Sequence, residues 1–321
     1  MIGASVGIAL FDGEPDGLAD IMKHADMALY RAKSAGRNGI EVFTPDLKRQ
    51  ADRRLAIDKG MRSAMENGDI ELHFQPQVDI EGGLVGAEVL CRWRHPELGE
   101  VAPEEFIQVA EETGLIHALG EIILTRACRR LVSWRADGGV APPRLSINVS
   151  PWQLENPEFT KRVIAIIEAT GVDPSSLNLE ITESTFMRNV ANASRKLNEL
   201  NELGITFSID DFGTGYSALA WLKRLAVHEI KIDRSFIHDL SAVRNDALVE
   251  TILAIARHMG LNVVAEGVET EGQRGALELM GCRVFQGLLI SPPLSESAFR
   301  DWMRDGGRAS RLDGVPGPAS S

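Results

Sequence analysis

From about residue 70 to residue 287 the chain repeats one unit, a short apolar strand followed by an amphipathic helix. Strand-like runs fall at 70–76, 84–92, 144–149, 176–182, 205–210, 228–233, 262–267 and 283–287. Helical spacing of apolar residues occupies most of the gaps, at 103–117, 157–169, 191–203, 244–259 and 270–280. Parallel neighbours need such a crossover, whereas antiparallel neighbours can be joined by a tight turn. Only a few residues, among them Ile80, Glu81, Gly82 and Gly83, join the first two strands, so that pair is an antiparallel hairpin. The pattern predicts an α/β fold, a TIM-like (β/α)8 barrel whose first strand is antiparallel.

Upstream lies a smaller piece. Residues 1–11 alternate small and β-branched residues and read as a strand. Leu18, Ile21, Met22, Ala25, Ala28, Leu29 and Ala32 then recur at helical spacing, with Gly36 as a stop, and residues 40–43 read as a second strand. A β-α-β piece of this size cannot bury a core by itself. A long helix is expected from about residue 46 to Glu66, ended by Asn67-Gly68. The expected divisions are residues 1–44, the barrel at 45–305, and a Gly-, Pro- and Ser-rich disordered tail at 306–321.

Charge narrows the possible partners. The 321 residues carry a net charge of −12, which disfavours nonspecific binding to a nucleic-acid polymer. A small phosphate-bearing substrate stays possible, because carboxylates that hold cations reverse the local sign. Cys91, Cys128 and Cys282 are far apart with no CxxC, so neither a disulfide framework nor a zinc motif is expected, and a cytoplasmic, reducing location fits. No apolar run reaches the ~18 residues of a membrane span, and the N-terminus lacks a signal-peptide pattern.

Barrels of this type carry their active sites at the C-terminal ends of the strands. Glu88 lies on the second strand, with Leu90 and Arg92 following on the same face. The third strand ends in Asn148, and the fourth in Glu180, Thr182 and Glu183. The fifth ends in Asp210-Asp211, and the sixth carries Lys231 and Asp233. Glu266 and Glu269 follow the seventh, and Gln286 the eighth. A single acidic residue at a strand end is more often a cap or a surface charge. Seven of eight strands ending in polar residues is a much stronger signal. Carboxylates crowded on one rim repel one another unless cations intervene. An oxygen-only set without His or Cys suits magnesium or manganese. There are enough ligands for two ions, the arrangement that serves phosphoester hydrolysis. The seven histidines are scattered without ligand spacing, and Trp93, Trp152, Trp221 and Trp302 read as packing residues.

At these same positions the chain resembles the EAL-domain phosphodiesterases that hydrolyse cyclic di-GMP. The resemblance spans about residues 50–304. It is carried by Phe74-Gln75-Pro76, the run Gly86 to Trp93, Ile147-Asn148-Val149-Ser150 and Leu179-Glu180-Ile181-Thr182-Glu183-Ser184. It continues through Asp210-Asp211-Phe212-Gly213-Thr214-Gly215, Lys231-Ile232-Asp233, Ala265-Glu266-Gly267-Val268-Glu269 and Gln286-Gly287. The name-giving triplet reads Glu-Val-Leu here, and the middle residue, Val89, points away from the rim by strand alternation. Leu288 stands where a Tyr is common in the family.

The resemblance implies Glu88, Asn148, Glu180 and Asp210 as ligands of a first metal and Asp210 with Asp211 as the bridge to a second. Glu266 would bind metal or help to activate water. Lys231 would hold the attacking water and stabilise charge on the phosphate, so Lys231, Glu266 and Glu88 are the expected catalytic residues. Gln75, Leu90, Arg92 and Gln286 would contact the substrate, with Arg92 on a phosphate and Gln286 also near the metal and water. Glu183 would brace the loop at 211–217, with Asp233 and Glu269 in supporting positions. Two Mg2+ or Mn2+ ions, inhibition by Ca2+, linear pGpG as product and a homodimer through the barrel are the corresponding expectations. Family members that only sense the nucleotide have lost metal ligands, whereas here every expected ligand position is filled. An inert barrel that regulates a partner would tolerate random residues at the rim.

Residues 1–44 resemble the C-terminal end of a GGDEF diguanylate cyclase domain through Ala4-Ser5-Val6-Gly7-Ile8-Ala9, Ala25-Asp26-Met27-Ala28-Leu29-Tyr30, Ala32-Lys33 and Gly36-Arg37-Asn38. The hairpin that names that family is absent from the chain. This implies a remnant of a tandem GGDEF–EAL protein, possible as the cytoplasmic part of a longer, membrane-anchored chain.

Overall fold

The computed structural model describes residues 3–10, 18–34, 38–136, 140–186, 190–213, 222, 225–238, 240 and 243–307. Their strands are β1 (Val6–Ile8), β2 (Ile40–Val42), β3 (Ile70–Asp79), β4 (Leu84–His95), β5 (Gly99–Val101), β6 (Leu145–Asn148), β7 (Leu177–Thr182), β8 (Thr206–Phe212), β9 (Glu229–Ile232), β10 (Asn262–Ala265), β11 (Val284–Phe285) and β12 (Leu294–Ser295). Two compact units emerge: residues 1–69 with 94–113, and residues 70–93 with 114–321. This differs from the expected boundary at 44/45, because the long helix and the segment 94–113 group with the N-terminal piece. The tail from 308 on, Gly36 and Trp221 lie outside the described residues.

In the first unit β1 and β2 pair in parallel, with Val6 opposite Ile40. The helix Leu18–Ser34 connects them in sequence. Within the described part of 1–11 only Val6–Ile8 is strand. The long helix runs Pro45–Asn67. Thr44 caps its start by accepting the Leu47 N–H, and Gly68 ends it in the left-handed conformation, φ 86°. Arg53 reaches Glu105 on the helix Pro103–Thr113 at 2.6 Å, and Arg54 pairs with Glu112 on the same helix.

The second unit is the expected barrel. β3 lies antiparallel to β4 on one edge and to β11 on the other. β4, β6, β7, β8, β9, β10 and β11 follow one another in parallel, which closes eight strands into a ring. β12 continues the β11 edge of β3, with Leu294 opposite Phe74. One expected helix is wrong: the run 103–117 is cut after Thr113 by Gly114, φ 77°, and a separate helix spans Ile116–Ala136. A left-handed glycine stops a helix, and the apolar periodicity masked the break. β11 is also shorter than the expected 283–287. The chain turns at Gly287, where a Cβ would sit 2.3 Å from the backbone N and O of Val268.

Strand alternation sorts the barrel into two environments. Phe74, Val89, Ile147, Leu179, Phe207, Ile230 and Phe285 join a hydrophobic core with helix residues such as Leu131, Trp134, Val163, Leu197 and Phe299. Phe74 meets Trp134 edge-on at 4.9 Å and stacks on Phe299 at 5.5 Å. The alternate positions are buried yet polar: Gln77, Glu88, Ser146, Asn178, Glu180, Ser208, Glu229 and Lys231. Bulky branched side chains commonly fill such interiors. Here Asn178 instead donates to Ser146 Oγ at 3.1 Å and to Ser208 Oγ at 2.8 Å, and Thr206 donates to its carbonyl at 3.0 Å.

Candidate active site

The polar interior ends, at the C-terminal side of the parallel strands, in a cluster built around one ammonium. Lys231 on β9 is 1% exposed. Its Nζ lies 2.6 Å from Glu180 Oε2 and 2.5 Å from Glu266 Oε1. Glu88 Oε2 and Asp210 Oδ1 stand at 3.3 Å each. Four strands supply these carboxylates through the register that sets Asn148 beside Glu180 and Thr182 beside Asp210. Glu88 is further held by two amides: Asn148 donates to its Oε1 at 2.7 Å and Gln286 to its Oε2 at 2.6 Å.

One ammonium cannot neutralise four carboxylates, and the proton equilibria reflect it. Burial disfavours the Lys231 charge, but Asp210, Glu180, Glu266 and Glu88 outweigh burial and hold the ammonium protonated far above its usual range. Burial also pushes Glu88 up, yet Lys231 with the Gln286 and Asn148 amides brings it below the usual carboxylate range. Glu180 is raised by burial against the pull of Lys231, with Glu88, Asp210 and Glu266 adding to the rise. Glu266 is pushed up to about 8 by burial and the same carboxylates, in spite of Lys231. The cluster therefore lacks positive charge.

The residues fit divalent cations. Every candidate donor is an oxygen, which is magnesium and manganese chemistry. Glu180 Oε1 is buried with no hydrogen-bond partner. Among the described residues no three His, Cys, Asp or Glu side chains already converge as a metal cage, and the Lys231 ammonium stands at the focus of the carboxylates.

Of the remaining expected residues, Gln286 and Asp211 bond to carboxylates of this cluster, and Gln75 bonds to Gln286. Asp211 follows Asp210 with φ 54°, and its N–H donates to Asp210 Oδ1 at 3.1 Å. Burial together with the Asp210 and Asp233 carboxylates pushes its carboxyl up to about 6. Asp233 caps the helix Arg234–His238 through the Ser235 N–H at 3.0 Å. Glu183 is buried, and its Oε2 accepts the Gly213 N–H at 3.4 Å. The rest of that loop, 214–217, lies outside the described residues. Gln75 accepts from Gln286 at 3.0 Å and donates to Ser291 O at 3.1 Å. Leu90 and Arg92 are half-buried further along β4, and Arg92 donates to Cys91 O at 2.8 Å. Glu269 is exposed, with its N–H on Gln273 Oε1 at 2.8 Å. Leu288 is 60% exposed.

Sequence reasoning passed over Gln77, Arg144 and Glu229, which continue the polar interior below the cluster. Arg144 Nη2 and Glu229 Oε2 are 2.7 Å apart, and Glu229 is 2% exposed. Their signal was present: polar residues at the inward positions of strands whose outward positions are apolar.

Comparison with known proteins agrees with this reading of the barrel. The family described as EAL domain matches residues 59–293, and the chain belongs to that family. It is 41% identical over 295 residues to the bifunctional diguanylate cyclase/cyclic di-GMP phosphodiesterase MucR of Pseudomonas aeruginosa, covering 91% of this chain and 43% of that protein. It is 38% identical over 315 residues to the cyclic di-GMP phosphodiesterase NbdA of the same organism, covering 98% of this chain and 40% of that protein. The chain thus spans about two fifths of the length of these curated relatives. Among solved structures, the PaMucR phosphodiesterase in complex with c-di-GMP superposes with a TM-score of 0.73 at 40% identity, over 76% of this chain and 99% of that one.

Proposed function

We propose that this chain is a metal-dependent phosphodiesterase that hydrolyses cyclic di-GMP to linear pGpG and so lowers a bacterial second messenger. The observation that carries this reading is the buried Lys231 ammonium enclosed by Glu88, Glu180, Asp210 and Glu266 at the catalytic end of an EAL barrel. Two named phosphodiesterase relatives and a nucleotide-bound structure support it.

The reaction adds water across one P–O3′ bond: oxygen joins phosphorus, the ester bond breaks, and the proton ends on the 3′ oxygen. Glu88, Asn148, Glu180, Asp210, Asp211 and Glu266 would hold two Mg2+ or Mn2+ ions. When bound, these ions supply Lewis-acid stabilisation of the charge that develops on the phosphodiester. Lys231 stabilises the same charge from beneath, as a fixed cation in a site largely closed to water. Glu266, whose neighbour Lys231 stands 2.5 Å away, would bind metal or help to activate the attacking water. Arg92 would take a phosphate, Gln75 and Leu90 the adjoining substrate surface, and Gln286 the water.

The test is incubation with cyclic di-GMP and magnesium, followed by chromatography. Appearance of pGpG supports the reading. Binding without turnover under every divalent ion tried would replace it with a receptor.

We also propose that residues 1–44 are the remnant of a GGDEF domain, that the barrel forms a homodimer, and that the chain works in the cytoplasm. The motifs quoted above support the first. Among the described residues no helix is long and apolar enough to cross a membrane.

A further inference from the structure

The direction of the Gln286 amide matters, because only its nitrogen can serve Glu88. A side-chain amide has a donating end and an accepting end of nearly the same shape. Gln286 Nε2 donates to Glu88 Oε2 at 2.6 Å and to Gln75 Oε1 at 3.0 Å. Turned over, Gln286 would set its carbonyl oxygen against a carboxylate and another carbonyl.

What prevents the turn lies one layer deeper. Gln77 on β3 has no exposure and is no part of the carboxylate cluster. Its Nε2 donates to Gln286 Oε1 at 2.9 Å and so fixes which end of Gln286 points up. The other end of Gln77 fills space that only a glycine leaves open. A Cβ on Gly86 would lie 2.8 Å from Gln77 Oε1 and 3.7 Å from Arg144 Nε. The same Cβ would lie 3.3 Å from the Arg144 backbone oxygen, and the Arg144 guanidinium is anchored on Glu229 at 2.7 Å. Gln77 Oε1 has no hydrogen-bond partner, so Gln77 takes its sense from its bond to Gln286 Oε1 and from the space left by Gly86.

We propose that Gln77 is a positioning residue for the hydrolysis: it locks the Gln286 amide with its donor toward Glu88, and Gly86 keeps the room in which it does so. The proposal rests on the phosphodiesterase reading above. Gln77 touches neither substrate nor reacting atoms, and acts through Gln286 alone.

The test compares the full chain with Gln77→Met, Gln77→Glu and Gly86→Ala, assayed with cyclic di-GMP and magnesium. Gln77→Met keeps the volume and removes the donor. Gln77→Glu keeps the shape but sets an acceptor against Gln286 Oε1, which favours the turned amide. We expect kcat to fall about tenfold in the first and about a hundredfold in the second, the scale of a small misplacement at a reacting centre. KM for cyclic di-GMP moves less than kcat does, because the Arg92 and Leu90 contacts are untouched. Gly86→Ala, whose new methyl presses on Gln77 Oε1, follows Gln77→Met. In a Gln286→Met background Gln77→Glu has little left to act on, so its kcat effect shrinks to about twofold or less, the coupling expected of residues in one network. Wild-type kcat in Gln77→Glu, or an undiminished effect in the Gln286→Met background, overturns the proposal while the hydrolytic reading stands. Absence of turnover by the unaltered chain removes both.

Discussion

Lys231 is the residue on which the site balances, since it offsets part of the charge of four carboxylates gathered within 3.3 Å of its ammonium. Removing one member of a buried ion cluster costs about 3–5 kcal/mol. Lys231→Ala should therefore lower the melting temperature in metal-free buffer, and added magnesium should restore much of it, which calorimetry with and without EDTA will show. Its kcat should fall about 10²-fold or more, the scale of losing a fixed transition-state charge, and unchanged kcat would contradict the assigned role. Glu183 acts at one remove, through the Gly213 N–H. Glu183→Ala is expected to keep the fold and the Glu88 side of the cluster while losing most activity, and wild-type kcat and KM would sink the brace. The ends of the strands could be read from the sequence because each carried a polar residue where apolar ones preceded it. Gln77 could not, since its role comes from a neighbour 209 positions away in sequence.

Elements were legible wherever one period dominated. The capped helix Pro45–Asn67 and the hairpin β3–β4 fell within a residue or a few of their expected ends, because Thr44, Gly68 and the Gly82-Gly83 turn punctuate them. The helix Ile116–Ala136 was missed because apolar residues continue across Gly114, and only a backbone angle separates the two helices. β11 was overestimated because an apolar run says nothing about how near another backbone passes. That nearness is testable. Gly287→Ala would drive a methyl into Val268 N and O, each 2.3 Å from the ideal Cβ position. No side chain can rotate away from such a clash, so the turn that seats Gln286 has to shift. Overpacking of this kind costs about 1–3 kcal/mol or more, read as a lower urea midpoint, and activity should fall further than stability.

For the whole molecule, the fold class and the set of residues at the barrel's end were readable from order and spacing, whereas the division into compact units depended on which helices pack together and was not. At this scale the decisive experiment is exchange of the cation. Magnesium or manganese should support turnover, EDTA should abolish it, and calcium should inhibit, because calcium takes more ligands at longer and looser distances. Equal rates in calcium and magnesium would remove the proposed metal chemistry. Purified protein given GTP should form no cyclic di-GMP, since the sequence of residues 1–44 has no Gly-Gly-Asp-Glu-Phe run. The antiparallel sense of β3 has one more effect. In a barrel whose strands all run one way, the chain enters at the closed floor. Here the entering strand starts at Ile70, on the side of the mouth, and five residues later presents Gln75, which grips Gln286 and Ser291. The strand that opens the barrel therefore brings its residue to the mouth while running away from it, where the parallel strands do so while running toward it.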